Sequence, residues 1–161
     1  MIAQTARIMR RLIVSLTIIT LAGCASSGPV PERQAVVKKS TSADRAVAIA
    51  MQQVGVPYRY GGSTPRGFDC SGLVHYSYAQ VGRSVPRTTA TLWSALRPVA
   101  RSDMRVGDVL FFEISGKMSH VGLYIGGDQF VHAPSSGKAV SVASLRSGFY
   151  DQALIRAGRP N

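Results

Sequence analysis

Hydrophobic positions recur at helical spacing early in the chain and at strand-like spacing later. Between residues 43 and 54, Ala46, Val47, Ile49, Ala50 and Val54 form one apolar face, with Ser42 placed to cap the start and Gly55 to stop the end. Residues 56–68 carry Pro57, Gly61, Gly62, Pro65 and Gly67 and read as a loop. A second helix is predicted over 70–81, with Asp69 as N-cap and Gly82 just past the end. Gly72 near its start costs helix propensity but lets another segment approach closely. A shorter helix is predicted over 88–96. The pattern then changes, and strands are predicted over 108–113, 119–125, 129–133 and 139–142, with 153–157 closing the sheet. Helices first and hairpin-connected strands later predict an α+β fold, with N-terminal helices packed on an antiparallel sheet of about five strands.

The first residues have a different character. Residues 1–11 are basic, and residues 12–22 are apolar apart from Ser and Thr. Eleven apolar residues are too few for the ~20 that a membrane-spanning helix needs, so residues 1–23 read as a secretory signal peptide. The run ends Leu21-Ala22-Gly23-Cys24, which resembles the lipobox of bacterial lipoproteins. That resemblance implies cleavage before Cys24, lipid on Cys24 and attachment to a membrane. Ala25, rather than Asp, follows the cysteine. By likeness to the Gram-negative sorting rule, this implies an outer-membrane anchor facing the periplasm. Residues 24–41 then serve as a flexible tether with a reach of at most roughly 60 Å, leaving 42–161 as the folded domain.

Composition bounds the rest. A chain of 161 residues with 45% hydrophobic content suits one domain with a real core. The net charge is +11, from 19 basic and 8 acidic residues; without Arg7, Arg10 and Arg11 of the leader it is +8. Such an excess favours anionic partners without choosing among them. Nucleic acid is disfavoured because the chain carries an export signal and no reading motif. There are two cysteines. If Cys24 is acylated, Cys70 is the single free thiol of an exported protein, which is either buried and inert or kept for reactivity. Its predicted place in the first turn of a helix favours the thiolate and a lowered pKa.

The three histidines separate by geometry. His75 lies five positions after Cys70 on the same helix, about 140° around it, and reads as structural. If the strands around His120 and His132 form a hairpin symmetric about Gly126, the two rings lie directly opposite on one face, with Cβ atoms about 5 Å apart. Val121, Leu123 and Val131 then point into a core. A histidine pair on one face suits half of a metal site, or a base and the group that orients it.

The blocks Tyr58-Arg59-Tyr60-Gly61-Gly62, Phe68-Asp69-Cys70-Ser71-Gly72 and Val85-Pro86-Arg87-Thr88 resemble the NlpC family of bacterial cell-wall cysteine peptidases. So do Val106-Gly107-Asp108-Val109, the run from Ser119 through His120 to Gly126, and Phe130-Val131-His132-Ala133, all in the family order. The resemblance implies a papain-like fold in which a helix presents the Cys against a sheet that presents the His pair. It implies Cys70 as nucleophile, His120 as base and His132 as the third, polar member. It places Tyr58 near the oxyanion site, and Asp69 and Ser71 where they can help bind the substrate peptide. The implied substrate is the peptidoglycan stem peptide, with no cofactor and no metal.

Within that family the D-alanyl to diaminopimelate crosslink is the favoured bond, and the D-glutamyl to diamino acid bond is the alternative. Other readings are an amidase or acyltransferase on the same fold, or a non-catalytic envelope-binding lipoprotein. A zinc site built from Cys70, His120 and His132 is also conceivable.

Overall fold

The structure, a computed structural model, describes residues 39–161. The expected signal peptide, Cys24 and most of the tether lie outside the described residues. Helix α1 spans Ser42–Met51 and is capped by Thr41 rather than Ser42. The reason is a capping box: Thr41 Oγ1 accepts from the Asp44 N–H at 3.1 Å, and Asp44 Oδ2 accepts from the Thr41 N–H at 2.9 Å. The helix ends three residues before Val54, which is exposed. Its Ala46, Val47 and Ala50 are buried, as the periodicity requires.

The expected loop contains a small hairpin, β1 (Ser63–Thr64) paired with β2 (Gly67–Phe68). Helix α2 spans Cys70–Ala79 with Asp69 as its N-cap, and α3 spans Thr89–Ala95 with Thr88 as its N-cap. The sheet has six strands where about five were expected. They are β3 (Arg97–Val99), β4 (Val109–Ile114), β5 (Lys117–Gly126), β6 (Gln129–His132), β7 (Ser141–Ser144) and β8 (Leu154–Arg159). Their order is β3-β8-β4-β5-β6-β7, antiparallel throughout. The additional strand is β3, three residues long and holding Pro98, which only an edge position tolerates.

A further helix, α4 (Gly148–Ala153), precedes β8 and was not predicted. Strand β7 begins two residues later than expected. Residues 138–140 are taken by the loop instead: Tyr58 N–H donates to the Lys138 carbonyl at 2.8 Å, and Val140 N–H to the Val56 carbonyl at 2.8 Å. This contact anchors the Tyr58 segment to the sheet.

Both faces of the sheet are covered. On one, Val109, Phe111, Val121, Leu123 and Val131 pack with Ala46 and Ala50 of α1 and Leu73 and Val74 of α2. On the other, Leu110, Phe112, Tyr124 and Phe130 pack with Leu145 and Ala153, and with Tyr150 of α4. Each fully buried Phe or Leu contributes about 1.5–3 kcal/mol of apolar transfer.

The β5–β6 register differs from the expected one. The chain reverses through Gly127 and Asp128, both at positive φ (60° and 58°), as a two-residue type I′ turn requires. Gly126 pairs with Gln129, and an irregularity between Tyr124 and Gly126 sets Leu123 opposite Val131. Continued, that register puts His132 across from Gly122 rather than His120. A shift of two leaves both histidines on the same face; a shift of one would have separated them.

Candidate active site

Asp69 accepts the Gly72 N–H at 2.6 Å and so starts α2 with Cys70 as its first residue. A side chain at position 72 would place its Cβ 2.0 Å from the Gly62 carbonyl oxygen. Glycine there lets the Gly61–Gly62 loop lie against the helix start. The half-buried Cys70 opens into a groove of about 480 Å³ whose walls include Tyr58, Arg87, Thr89 and Ser119, with the exposed Tyr60 on its rim.

The sulfur lies 3.9 Å from Thr89 Oγ1 and close to the backbone N–H groups of Val121 and Ser71. Burial nevertheless pushes the thiol above its ordinary pKa. The hydrogen bonds from Val121, Thr89 and Ser71 oppose that push, and the Asp69 charge adds to it. The expectation of a lowered thiol pKa from the helix start is thus overturned: desolvation outweighs the helix-end amides.

His120 and His132 are joined directly, Nε2 to Nδ1 at 2.8 Å, although they sit diagonally across the two strands. Both are buried, at 5% and 2% exposure. Phe112, Phe130 and Tyr150 surround them, with ring centres 6.0 Å from His120 for Phe112, and 4.9 and 5.5 Å from His132 for Phe130 and Tyr150. Burial lowers the His120 pKa to about 4. It also lowers that of His132, where the charges of His120 and Lys138 act in the same direction. Both rings are therefore neutral at pH 7.

No hydrogen bond joins Cys70 Sγ to His120 among the described residues. The strand reaches the sulfur through the N–H of Val121, the next residue. His75 is turned away, its Nδ1 2.7 Å from the Val85 carbonyl oxygen. Tyr58 lines the groove, its pKa raised by burial and then by the neighbouring Cys70 and Asp69. Among the described residues no group of three or more His, Cys, Asp or Glu side chains is set to hold a metal ion.

Three residues were not singled out from the sequence. Arg87 grips Asp69 through both terminal guanidinium nitrogens, at 2.9 and 2.7 Å. It lay inside a motif block, so the signal was present but carried no role. Thr89 follows that block directly. Tyr150 had no signal, because its helix was not predicted. A second cavity of about 480 Å³, walled by Tyr78, Arg83 and Arg105 among others, holds neither cysteine nor histidine. Its inner wall is closed by the Arg159–Asp108 ion pair at 2.7 Å.

Residues 55–159 match the NlpC/P60 family. The chain is 37% identical to murein DD-endopeptidase MepH of Escherichia coli K12, over 84% of this chain and 52% of that protein. It is 38% identical to the gamma-D-glutamyl-L-lysine dipeptidyl-peptidase of Bacillus subtilis 168, over 66% of this chain and 37% of that one. The chain thus spans about half or less of the length of these two relatives. The crystal structure of the NlpC/P60 domain of the peptidoglycan hydrolase SagA superposes with a TM-score of 0.64 at 37% identity, over 73% of this chain and 97% of that one. The chain belongs to the NlpC/P60 family.

Proposed function

We propose that this protein is a cysteine peptidase of the cell envelope that hydrolyses peptidoglycan stem peptides, with Cys70 as nucleophile, His120 as base and His132 as the group that orients it. The observation that carries this reading is the one thiol among the described residues, at a helix start, open to a groove and reached by the N–H of Val121, the neighbour of His120 in a buried, hydrogen-bonded histidine pair. In the free site the thiol and both imidazoles are neutral. Proton transfer from Sγ to His120 therefore belongs to the substrate-bound state, in which the two groups must approach. With His120 Nε2–H donating to His132 Nδ1, the His120 Nδ1 lone pair is free to take that proton.

The sulfur then attacks the peptide carbonyl carbon. The Cys70 N–H at the helix start and the Tyr58 hydroxyl receive the oxyanion. The His120 imidazolium protonates the leaving amine, and water hydrolyses the thioester. We assign the D-alanyl to diaminopimelate crosslink as the bond cut, in keeping with the DD-endopeptidase among the relatives. The D-glutamyl to diamino acid bond is the second reading, favoured by the Bacillus relative. Asp69 and Ser71 border the groove on the side where a peptide would lie. The leader supports export and a lipid anchor on Cys24, with the domain facing the periplasm from the outer membrane.

Incubation of the full chain with crosslinked muropeptides, followed by mass spectrometry, tests the activity and identifies the bond. Cys70→Ala is expected to abolish cleavage with the fold intact. His120→Ala is expected to lose about as much, because residues acting as one unit are not additive. His132→Ala is expected to lose less, since water can partly replace an orienting group. Activity is expected to survive EDTA; its loss would favour the zinc reading. Undiminished digestion by Cys70→Ala would remove the peptidase reading and leave the envelope-binding one.

A further inference from the structure

Asp69 stands next to Cys70, and its charge opposes formation of the thiolate. That charge is not left bare. Arg87 Nη1 donates to Asp69 Oδ1 at 2.9 Å, and Nη2 donates to Oδ2 at 2.7 Å, a two-pronged pair. Nη1 also donates to Ser71 Oγ at 3.0 Å, and Nη2 to the Gly62 carbonyl at 3.1 Å. The carboxylate has further donors: Gly72 N–H at 2.6 Å and Ser71 Oγ–H at 3.3 Å on Oδ1, and Gly61 N–H at 3.0 Å on Oδ2.

Five donors thus serve one carboxylate, and the four Nη hydrogens of Arg87 meet four acceptors. The network is closed. It joins three segments: the Gly61–Gly62 loop, the first turn of α2, and the residues that lead into α3 with Thr89. It offers no spare acceptor on Asp69 to an incoming peptide.

We propose that Arg87 is a positioning residue for Cys70: its guanidinium balances the Asp69 carboxylate and pins the loop and Ser71 to the start of α2. Asp69 and Ser71 are then ties that shape the groove rather than contacts that hold the substrate. The proposal rests on Cys70 being the reacting group, and its first test does not require peptidase activity.

The titratable and charged groups around the groove that holds the sulfur are Asp69 on its own helix, Tyr58 and Tyr60 from the loop and Arg87 ahead of α3, while the His120–His132 pair, with Lys138 acting on His132, lies behind the β5 backbone that reaches the sulfur through the Val121 N–H. Tyr58 is raised and the His pair lowered, so none of these three changes charge between pH 6 and pH 9. Asp69 is held below the ordinary carboxylate range. Burial works against that, but the Arg87 hydrogen bond and charge and the Gly72 N–H prevail.

The test is alkylation of the full chain by iodoacetamide as a function of pH, read by mass spectrometry of the Cys70 peptide so that Cys24 does not interfere. Arg87→Gln is expected to raise the alkylation midpoint by about one pH unit, because it strips the compensating charge. Arg87→Lys, which keeps the charge but not the fork, is expected to shift it less. Asp69→Asn is expected to lower the midpoint, and Arg87→Gln combined with Asp69→Asn to return it close to wild type.

A folded Arg87→Gln protein with an unchanged profile would overturn the proposal. So would a double variant that stays as shifted as the single one. If Arg87→Gln does not fold, Asp69→Asn decides alone: a downward shift supports the proposal, and no shift or an upward one overturns it. In digestion assays Arg87→Gln is expected to lower kcat with KM unchanged. A raised KM with kcat unchanged would make Arg87 a substrate contact and overturn the positioning role. A wild type that alkylates as described but digests nothing would instead sink the peptidase reading and leave the charge balance standing.

Discussion

At Cys70 the amides of Val121 and Ser71 and the Thr89 hydroxyl favour the thiolate, and the loss of water around the sulfur still outweighs them. The same loss of water keeps the histidines neutral, and this has a consequence for stability. An unfolded histidine takes its proton near pH 6.5, whereas folded His120 resists until about pH 4. Between those values the unfolded state binds more protons, so stability falls as pH falls. The slope for His120 reaches about 1.4 kcal/mol per pH unit, and His132 adds to it in the same direction. Above pH 7 neither group contributes a slope. Urea unfolding between pH 7.5 and 4 is expected to show this decline, and a folded His120→Phe protein is expected to show a shallower one. Equal slopes would mean that the ring is not desolvated as described.

The elements hold these residues through a few close approaches. Gly72 is the tightest, because a Cβ there meets the Gly62 carbonyl at 2.0 Å and Arg87 Nη2 at 3.0 Å. Gly72→Ala would improve helix propensity by about 1 kcal/mol, yet the clash is with backbone and cannot be relieved by a rotamer change. We expect a net loss of roughly 1–3 kcal/mol in thermal or urea unfolding, with a displaced loop and reduced Cys70 reactivity. A variant as stable and reactive as wild type would show that the loop does not depend on this contact. On the far side of the sheet, α4 closes over the histidines: Tyr150 meets Phe112, Phe130 and His132 edge-on. On the helix side, Arg156 lies 3.7 Å over the Trp93 ring, fixing α3 and with it the Thr89 wall of the groove.

At the scale of the whole molecule, the proposed lipid anchor and the family domain can be tested separately. No helix among the described residues is long and apolar enough to cross a membrane. The membrane attachment proposed above is through lipid on Cys24. Cys24→Ala is expected to leave the protein without lipid and to release it from membrane fractions, while soluble digestion of muropeptides continues. A variant still acylated, or a wild type never acylated, would refute the address. The match to the family covers residues 55–159 and Cys24 lies outside it, so the two tests are independent.

Short-range patterns sufficed for several features of this protein. Asp69, Cys70 and Gly82 set the start and end of α2 within ten or so residues of chain, and Gly82 takes the positive φ of 75° that such an end requires. Strand alternation put His120 and His132 on one face, and that inference survived a register shift of two because the period is two. What local sequence could not supply depends on segments that meet only in the folded chain. The diagonal offset of the histidines comes from a turn and an irregularity acting together. The sign of the thiol shift comes from burial by α3 and β5. The Arg87–Asp69 pair closes across 18 residues, and α4 gains its role only by covering a sheet face already built. Capping and periodicity are energies between near neighbours in sequence and can be read there. Desolvation and cross-chain hydrogen bonds are energies between neighbours in space, and only the tertiary structure decides them.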